Sequence, residues 1–181
     1  MWRIILIIFI FASCDKEVKK ISETDASNLV DKELLKNIDL VYTDSGKIIL
    51  RIIAPEMLRS AKGNQTQDEF RKGITATFYN NGILSNTLTA NYANRITEEG
   101  KTFLSDQVVL KNPKGEKLET AELTWDERNG RVSTDKFVRL SRAEEIVQGY
   151  GFESDQNFLK GVIRSIEATF PAKKIMSEEI K

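Results

Sequence analysis

Glu116-Lys-Leu-Glu-Thr-Ala-Glu-Leu-Thr-Trp125-Asp-Glu-Arg-Asn-Gly130-Arg-Val-Ser-Thr-Asp135 is the stretch that decides the fold. Ala121, Leu123 and Trp125 share one parity, with polar residues between them. That period of two is the mark of a strand with one buried face. Asn129-Gly130 follows, and both residues accept positive φ, which makes the pair the strongest short-range hairpin signal. Val132 opens the return strand, and Phe137 to Leu140 and Ile146 to Gln148 continue the pattern towards Gly149-Tyr-Gly-Phe-Glu-Ser-Asp155. The stretch predicts a β-meander.

The same logic extends in both directions. Strands are expected from Ile38 to Tyr42, and from Lys47 to Ala54 with Ile48, Leu50 and Ile52 on one face and Pro55 ending the ladder. Residues 59–72 are polar and read as a long loop. Ile74, Ala76 and Phe78 alternate, Asn80-Asn81-Gly82 turns the chain, and Leu88, Ala90 and Tyr92 return it. Phe103 to Leu110 follows, and Phe158 to Phe170 is the last candidate, stopped by Pro171. Upstream, residues 25–35 predict a short helix with Leu29, Val30 and Leu34 on one side. Ser105-Asp106-Gln107-Val108, Thr134-Asp135-Lys136-Phe137 and Ser154-Asp155-Gln156-Asn157 form a loose recurrence, read as hairpin ends. The fold class is all-β, an antiparallel meander closed or stacked into two sheets. The chain divides into a leader at 1–13, a membrane-proximal linker at 14–37, a β domain at 38–170 and a charged tail at 171–181.

Composition narrows the function. Lys and Arg together number 27, as do Asp and Glu, so net charge is zero and general affinity for nucleic acid is not expected. The absence of histidine removes the commonest general base and metal ligand. No metal or cofactor is expected. Arg3 precedes an apolar run from Ile4 to Ala12, too short to span a bilayer as a helix and suited to a secretory signal. Ala12-Ser13-Cys14 closes the run and resembles the lipobox of bacterial lipoproteins, which implies lipidation of Cys14, the sole cysteine. The plainer reading of Cys14 is a buried thiol. Asp15 resembles a signal for retention at the inner membrane; where that rule does not apply, the outer membrane is the alternative. Lys16, Lys19 and Lys20 can touch anionic headgroups or form a solvated linker.

Residues 115–126, the hairpin from Arg128 to Asp135, the stretch Gly149 to Asp155, and residues 73–92 resemble the LptC family of lipopolysaccharide export, to which the bridge protein LptA is related. The resemblance spans roughly residues 39–155. It implies a twisted, boat-shaped β-jellyroll that binds lipopolysaccharide transiently between its sheets. It further implies docking onto the membrane subunits of an ABC transporter and, edge to edge, onto an LptA-like bridge protein. The chain is then expected at the periplasmic face of the inner membrane, held by the lipid on Cys14.

Candidates to line a lipid groove are Ile48, Leu50, Ile52, Ile74, Ala76, Phe78, Leu88, Phe103, Leu123, Trp125 and Phe152, each of which also suits an ordinary core. Gly149, Gly151 and Asp155 form the family motif. It lacks the third glycine and the helix of a phosphate loop, so a bulge or a close backbone approach is the reading from the residues, with positioning on the transporter as the family alternative. Glu119, Glu122, Asp126 and Glu127 are the carboxylates a glycosidase would need, but solvated charge beside a hairpin explains them, and catalysis is not expected. A structural or glycan-binding envelope lipoprotein is the remaining class.

Overall fold

The computed structural model describes residues 30–158 and 160–171. Among the described residues eleven strands run in chain order: β1 Val30–Asp44, β2 Lys47–Lys62, β3 Gln65–Phe70, β4 Ile74–Asn80, β5 Ile83–Ala90, β6 Tyr92–Ile96, β7 Lys101–Lys111, β8 Lys117–Asp126, β9 Arg131–Ser141, β10 Glu145–Asp155 and β11 Gly161–Pro171. All described pairings are antiparallel. β3 and β4 both pair with β2, and β5 and β6 both pair with β7, so each couple is one long strand broken midway. With these joined, neighbours in sequence are neighbours in the sheet. The all-β antiparallel expectation holds, with one refinement: the layers belong to a single hydrogen-bonded sheet folded on itself.

The fold line is a row of backbone irregularities. Asn37, at φ 54°, lies opposite Pro55. Gly73, at φ 87°, separates β3 from β4, and Asn91 separates β5 from β6. The Asn91 amide donates to the Asp106 carbonyl at 2.9 Å. Asp106 and Gln107 have φ of 61° and 53°, and the register shifts between Ser105 and Val108. Shifts continue in β8 between Thr120 and Thr124, and at Gly151 in β10. Bulges of this kind bend a strand and increase its twist.

Burial records the same line. Buried positions alternate by two along each arm, then skip. The skips run Ala54 to Met57, Phe70 to Ile74, Ala90 to Ala93, Leu104 to Val108, Thr120 to Leu123 and Thr134 to Val138. Each inserts one or two residues at the bend and keeps the apolar side facing in. The front layer holds β4, β5 and the arms of the long strands beside them; the back layer holds β3, β6 and the remaining arms. Phe78 of β4 meets Trp125 of β8 across the interior, ring centroids 5.1 Å apart and edge to face. Leu88, Val132 and Val138 are fully enclosed between the layers.

Several expectations change. β1 is extended from Val30, so no helix covers 30–35, and strand structure begins before Ile38. Residues 59–72 are not a loop: β2 runs to Lys62 and β3 follows, held by the buried Asp68, which accepts from Arg59 Nε at 2.7 Å and Nη2 at 2.9 Å. The ladder passes through Pro55, because the unpaired position falls opposite the bend at Asn37. Two of the three recurring motifs, at 105–108 and 134–137, are mid-strand bends and not hairpin ends. The leader, Cys14 and residues 172–181 lie outside the described residues.

Hydrogen bonds from Arg51 to Asp39, from Arg71 and Tyr92 to Glu69, from the Thr66 amide to Glu98, and from Asn129 to Asp126 hold these four carboxyls below their ordinary values. Depressed folded-state values stabilise the fold above the unfolded-state values, and that stabilisation is lost as pH falls through the folded ones. With no histidine to titrate, the urea midpoint should stay flat from about pH 7.5 to about 5.5 and fall below about pH 4.5. Chemical denaturation across that range reads it; a step near pH 6.5 would contradict it.

Candidate functional site

Nine of the eleven expected groove residues come together. Leu50, Ile52, Ile74, Ala76, Phe78, Leu88, Leu123, Trp125 and Phe152 belong to one continuous apolar cluster between the layers. Ile48 does not join them: it shares parity with Leu50 but sits beside the β1–β2 hairpin, 40% exposed. Phe103 is turned outward, because Thr102 and Leu104 take the inward positions. Ala121 is likewise exposed, since the bend after Thr120 shifts the inward parity to Leu123 and Trp125. Met57, Phe70, Leu104, Leu110, Leu118, Val132 and Val138 are among the residues that join them in the interior. The phase skip at each bend is the signal that would have found them.

Where the layers meet again, away from the fold line, the closures are few. Besides Phe78 on Trp125, the Trp125 indole N–H donates to Gln156 Oε1 at 3.4 Å, and the buried Asn86 donates from Nδ2 to the Asn157 carbonyl at 2.7 Å. Two clefts open at this margin. One, about 420 Å³, lies between Tyr42, Leu50 and Phe78 on one side and Trp125, Glu127 and Gln156 on the other. The second is narrower and is lined by Leu110, Leu118, Leu140, Phe152, Phe158 and Ile163. A third cleft, about 840 Å³, is an outside valley along the fold line past Ile53, Pro55, Thr89 and Val109.

The inner side of the back layer carries charge. Arg95 donates to Glu127 through Nε and Nη2, at 2.9 Å and 2.8 Å, and its Nη1 stands 3.9 Å from Asp68. Thr102 donates to Glu127 at 2.7 Å. Two arginines and two carboxylates balance, and the hydrogen bond to Glu127 raises the Arg95 guanidinium above its ordinary value. The other carboxylates are also engaged: Glu119 pairs with Lys117 at 2.9 Å, Glu122 with Lys136 at 3.4 Å, and Asp126 caps Asn129. On the outside, Phe137 and Tyr150 meet edge to face, 39% and 47% exposed.

Gly149, Gly151 and Asp155 all act on β11. A Cβ on Gly149 would land on the Ser165 carbonyl oxygen of β11. Gly151, at φ 72°, leaves room for the Arg164 side chain, whose Nε would stand 2.6 Å from a Cβ there. That side chain reaches on to the Thr134 carbonyl and to Asp135. Asp155 organises the turn into β11, accepting the amides of Asn157 at 2.8 Å and Lys160 at 3.1 Å. The motif is a close backbone approach that seats the last strand.

The sequence matches the LptC-related lipopolysaccharide-assembly family over residues 4–157. No curated protein matches the chain. The match covers most of the chain, which therefore belongs to this family and takes a role associated with lipopolysaccharide transport. The family's members are periplasmic, are associated with the inner membrane, and act in transport, not catalysis.

Gly149→Ala should push β11 off β10 at a cost of about 1–3 kcal/mol. Hydrogen exchange of the β11 amides should quicken by more than about tenfold while those of β4 keep their protection. Unchanged β11 exchange would remove the seating role.

Proposed function

We propose that this chain shields the acyl chains of lipopolysaccharide between its two β-layers, taking the lipid from the membrane subunits of an ABC transporter and passing it to an LptA-like bridge protein. The observation that carries the reading is one apolar interior, continuous from Leu50 and Phe78 to Leu123 and Phe152, bounded by two edge strands that pair on one side only. Each methylene moved from water into such an interior gains about 0.8 kcal/mol, so a multi-chain lipid crosses an aqueous space only under cover. The interior of the free domain is filled by its own side chains. Lipid therefore needs the layers to part, and the margin held by Phe78–Trp125 and Asn86–Asn157 is where parting costs least. An edge-to-face aromatic pair and a buried hydrogen bond each contribute about 1 kcal/mol. Leu50, Ile52, Ile74, Ala76, Phe78, Leu88, Leu123, Trp125 and Phe152 are the proposed lining.

The relay rests on the edges. β1 pairs only with β2, and β11 only with β10. β11 leaves Val162 62% and Ile166 63% exposed, and β1 leaves Leu34 54% exposed. Long, apolar, unpaired edges are a liability in a free domain and an asset where another strand adds on. β1 continues from the membrane-proximal segment, so it is the proposed transporter edge, and β11 is the proposed bridge edge. Lipidation of Cys14 supplies the tether, and Asp15 the retention at the inner membrane.

A photo-activatable residue at Phe78 or Leu123, in live cells, should yield an adduct of lipopolysaccharide size, and one at Phe103, on the outer face, should not. Equal adducts from all three positions, or none, would remove the groove. Ile166→Lys should weaken capture of the bridge protein by about tenfold or more with thermal stability unchanged, because a charge at the edge opposes strand addition. Wild-type capture would place the bridge contact elsewhere.

A further inference from the structure

The turn between β10 and β11 borders both marginal clefts: Gln156 and Asn157 line the wider one and Phe158 the narrower. Three consecutive residues make three different contacts. Gln156 accepts from the Trp125 indole, and the Asn157 carbonyl accepts from Asn86, 71 residues away on the front layer. Phe158 stacks on Phe152, with ring planes 9° apart and centroids separated by 6.4 Å. Phe158 has φ of 55°, a left-handed backbone unusual for a bulky side chain, and its amide donates to the Asp155 carbonyl at 2.9 Å. The turn holds the ring over the cleft in a conformation the residue does not favour on its own. Beneath it lie Leu110, Leu118 and Leu140 of the front layer and Ile163 of β11. The same turn leads directly into the exposed edge of β11.

We infer that Phe158 is the gate residue of an exit port for alkyl chains, at the end of the groove next to β11, and that the 156–158 turn is its latch. This rests on the reading that lipid lies between the layers. The port faces the strand proposed to receive the bridge protein, so a chain leaving past Phe158 emerges beside the acceptor. Phe158→Ala removes the stacked ring and leaves the strand pairings in place. Gln156→Ala is the gentler variant, removing only the hold on Trp125.

The test is thiol labelling of the full chain carrying Cys14→Ser, with Leu118→Cys as reporter beneath the gate and Leu104→Cys as a reporter buried in the back layer away from it. Phe158→Ala should speed labelling at position 118 by about tenfold, as expected for loss of an aromatic pair, and at position 104 by less than about twofold. Gln156→Ala should give a smaller gain in the same order. Unchanged labelling at position 118, or equal acceleration at both positions, overturns the gate. A second arm measures uptake of a fluorescent long-chain fatty acid by the same variants. Faster uptake in step with labelling supports gate and groove together. Faster labelling with no uptake in any variant keeps the gate over the cleft and overturns the lipid reading, so the two failures separate.

Discussion

A single β-sheet has two faces and can bury only one of them against itself. This chain solves the problem by bending every long strand at the same height. The bends align from Asn37 and Pro55 through Gly73, Asn91 and Asp106–Gln107 to Gly151, so the sheet closes like a hinged cover while the ladder continues across the hinge. Without the row of bends the pleat would run straight and the layers could not face each other. The extra residues at each bend keep the apolar side turned in, and they explain why Leu118 and Leu123 are both buried although five positions apart.

That device separates what the sequence reveals from what it conceals. Alternation within an arm is plain in Ile74-Thr-Ala76-Thr-Phe78, and the turns at Asn80-Asn-Gly82 and Asn129-Gly130 are written in residues that tolerate left-handed backbone. An all-β meander follows from these alone. A bend is a phase change, and phase extrapolated across it fails. Ala121 shares the alternation of Leu123 in the sequence, yet it lies within the bend and is exposed. Phe103 suggests burial by its size, but Thr102 and Leu104 occupy the inward positions. The stretch from 59 to 72 looks like a loop because most of it is polar and one of its inward residues, Asp68, is a carboxylate; the guanidinium that makes Asp68 tolerable inside is Arg59, nine residues back across the β2–β3 turn.

The family motif shows how a sequence signature can be structural at one remove. Gly149 and Gly151 let the last strand come close enough to pair and let Arg164 cross. Asp155 then shapes the turn that carries Phe158. Residues singled out by resemblance thus build the far edge and the latch beside it, the two places where the proposed relay would act. The charged set of Arg59, Asp68, Arg95 and Glu127 makes a neutral, mutually satisfied rim on the back layer.

The strand order has a consequence for biogenesis. Since each strand pairs with the one made just before it, once β3–β4 and β5–β6 are each counted as one, the ladder can grow hairpin by hairpin from the N-terminal side. Each step closes through a short turn between neighbouring strands. The fastenings at the open margin, Phe78 with Trp125 and Asn86 with Asn157, must await partners more distant in the chain. Assembly therefore finishes at the open margin, the same seam that the proposed transport would require to part.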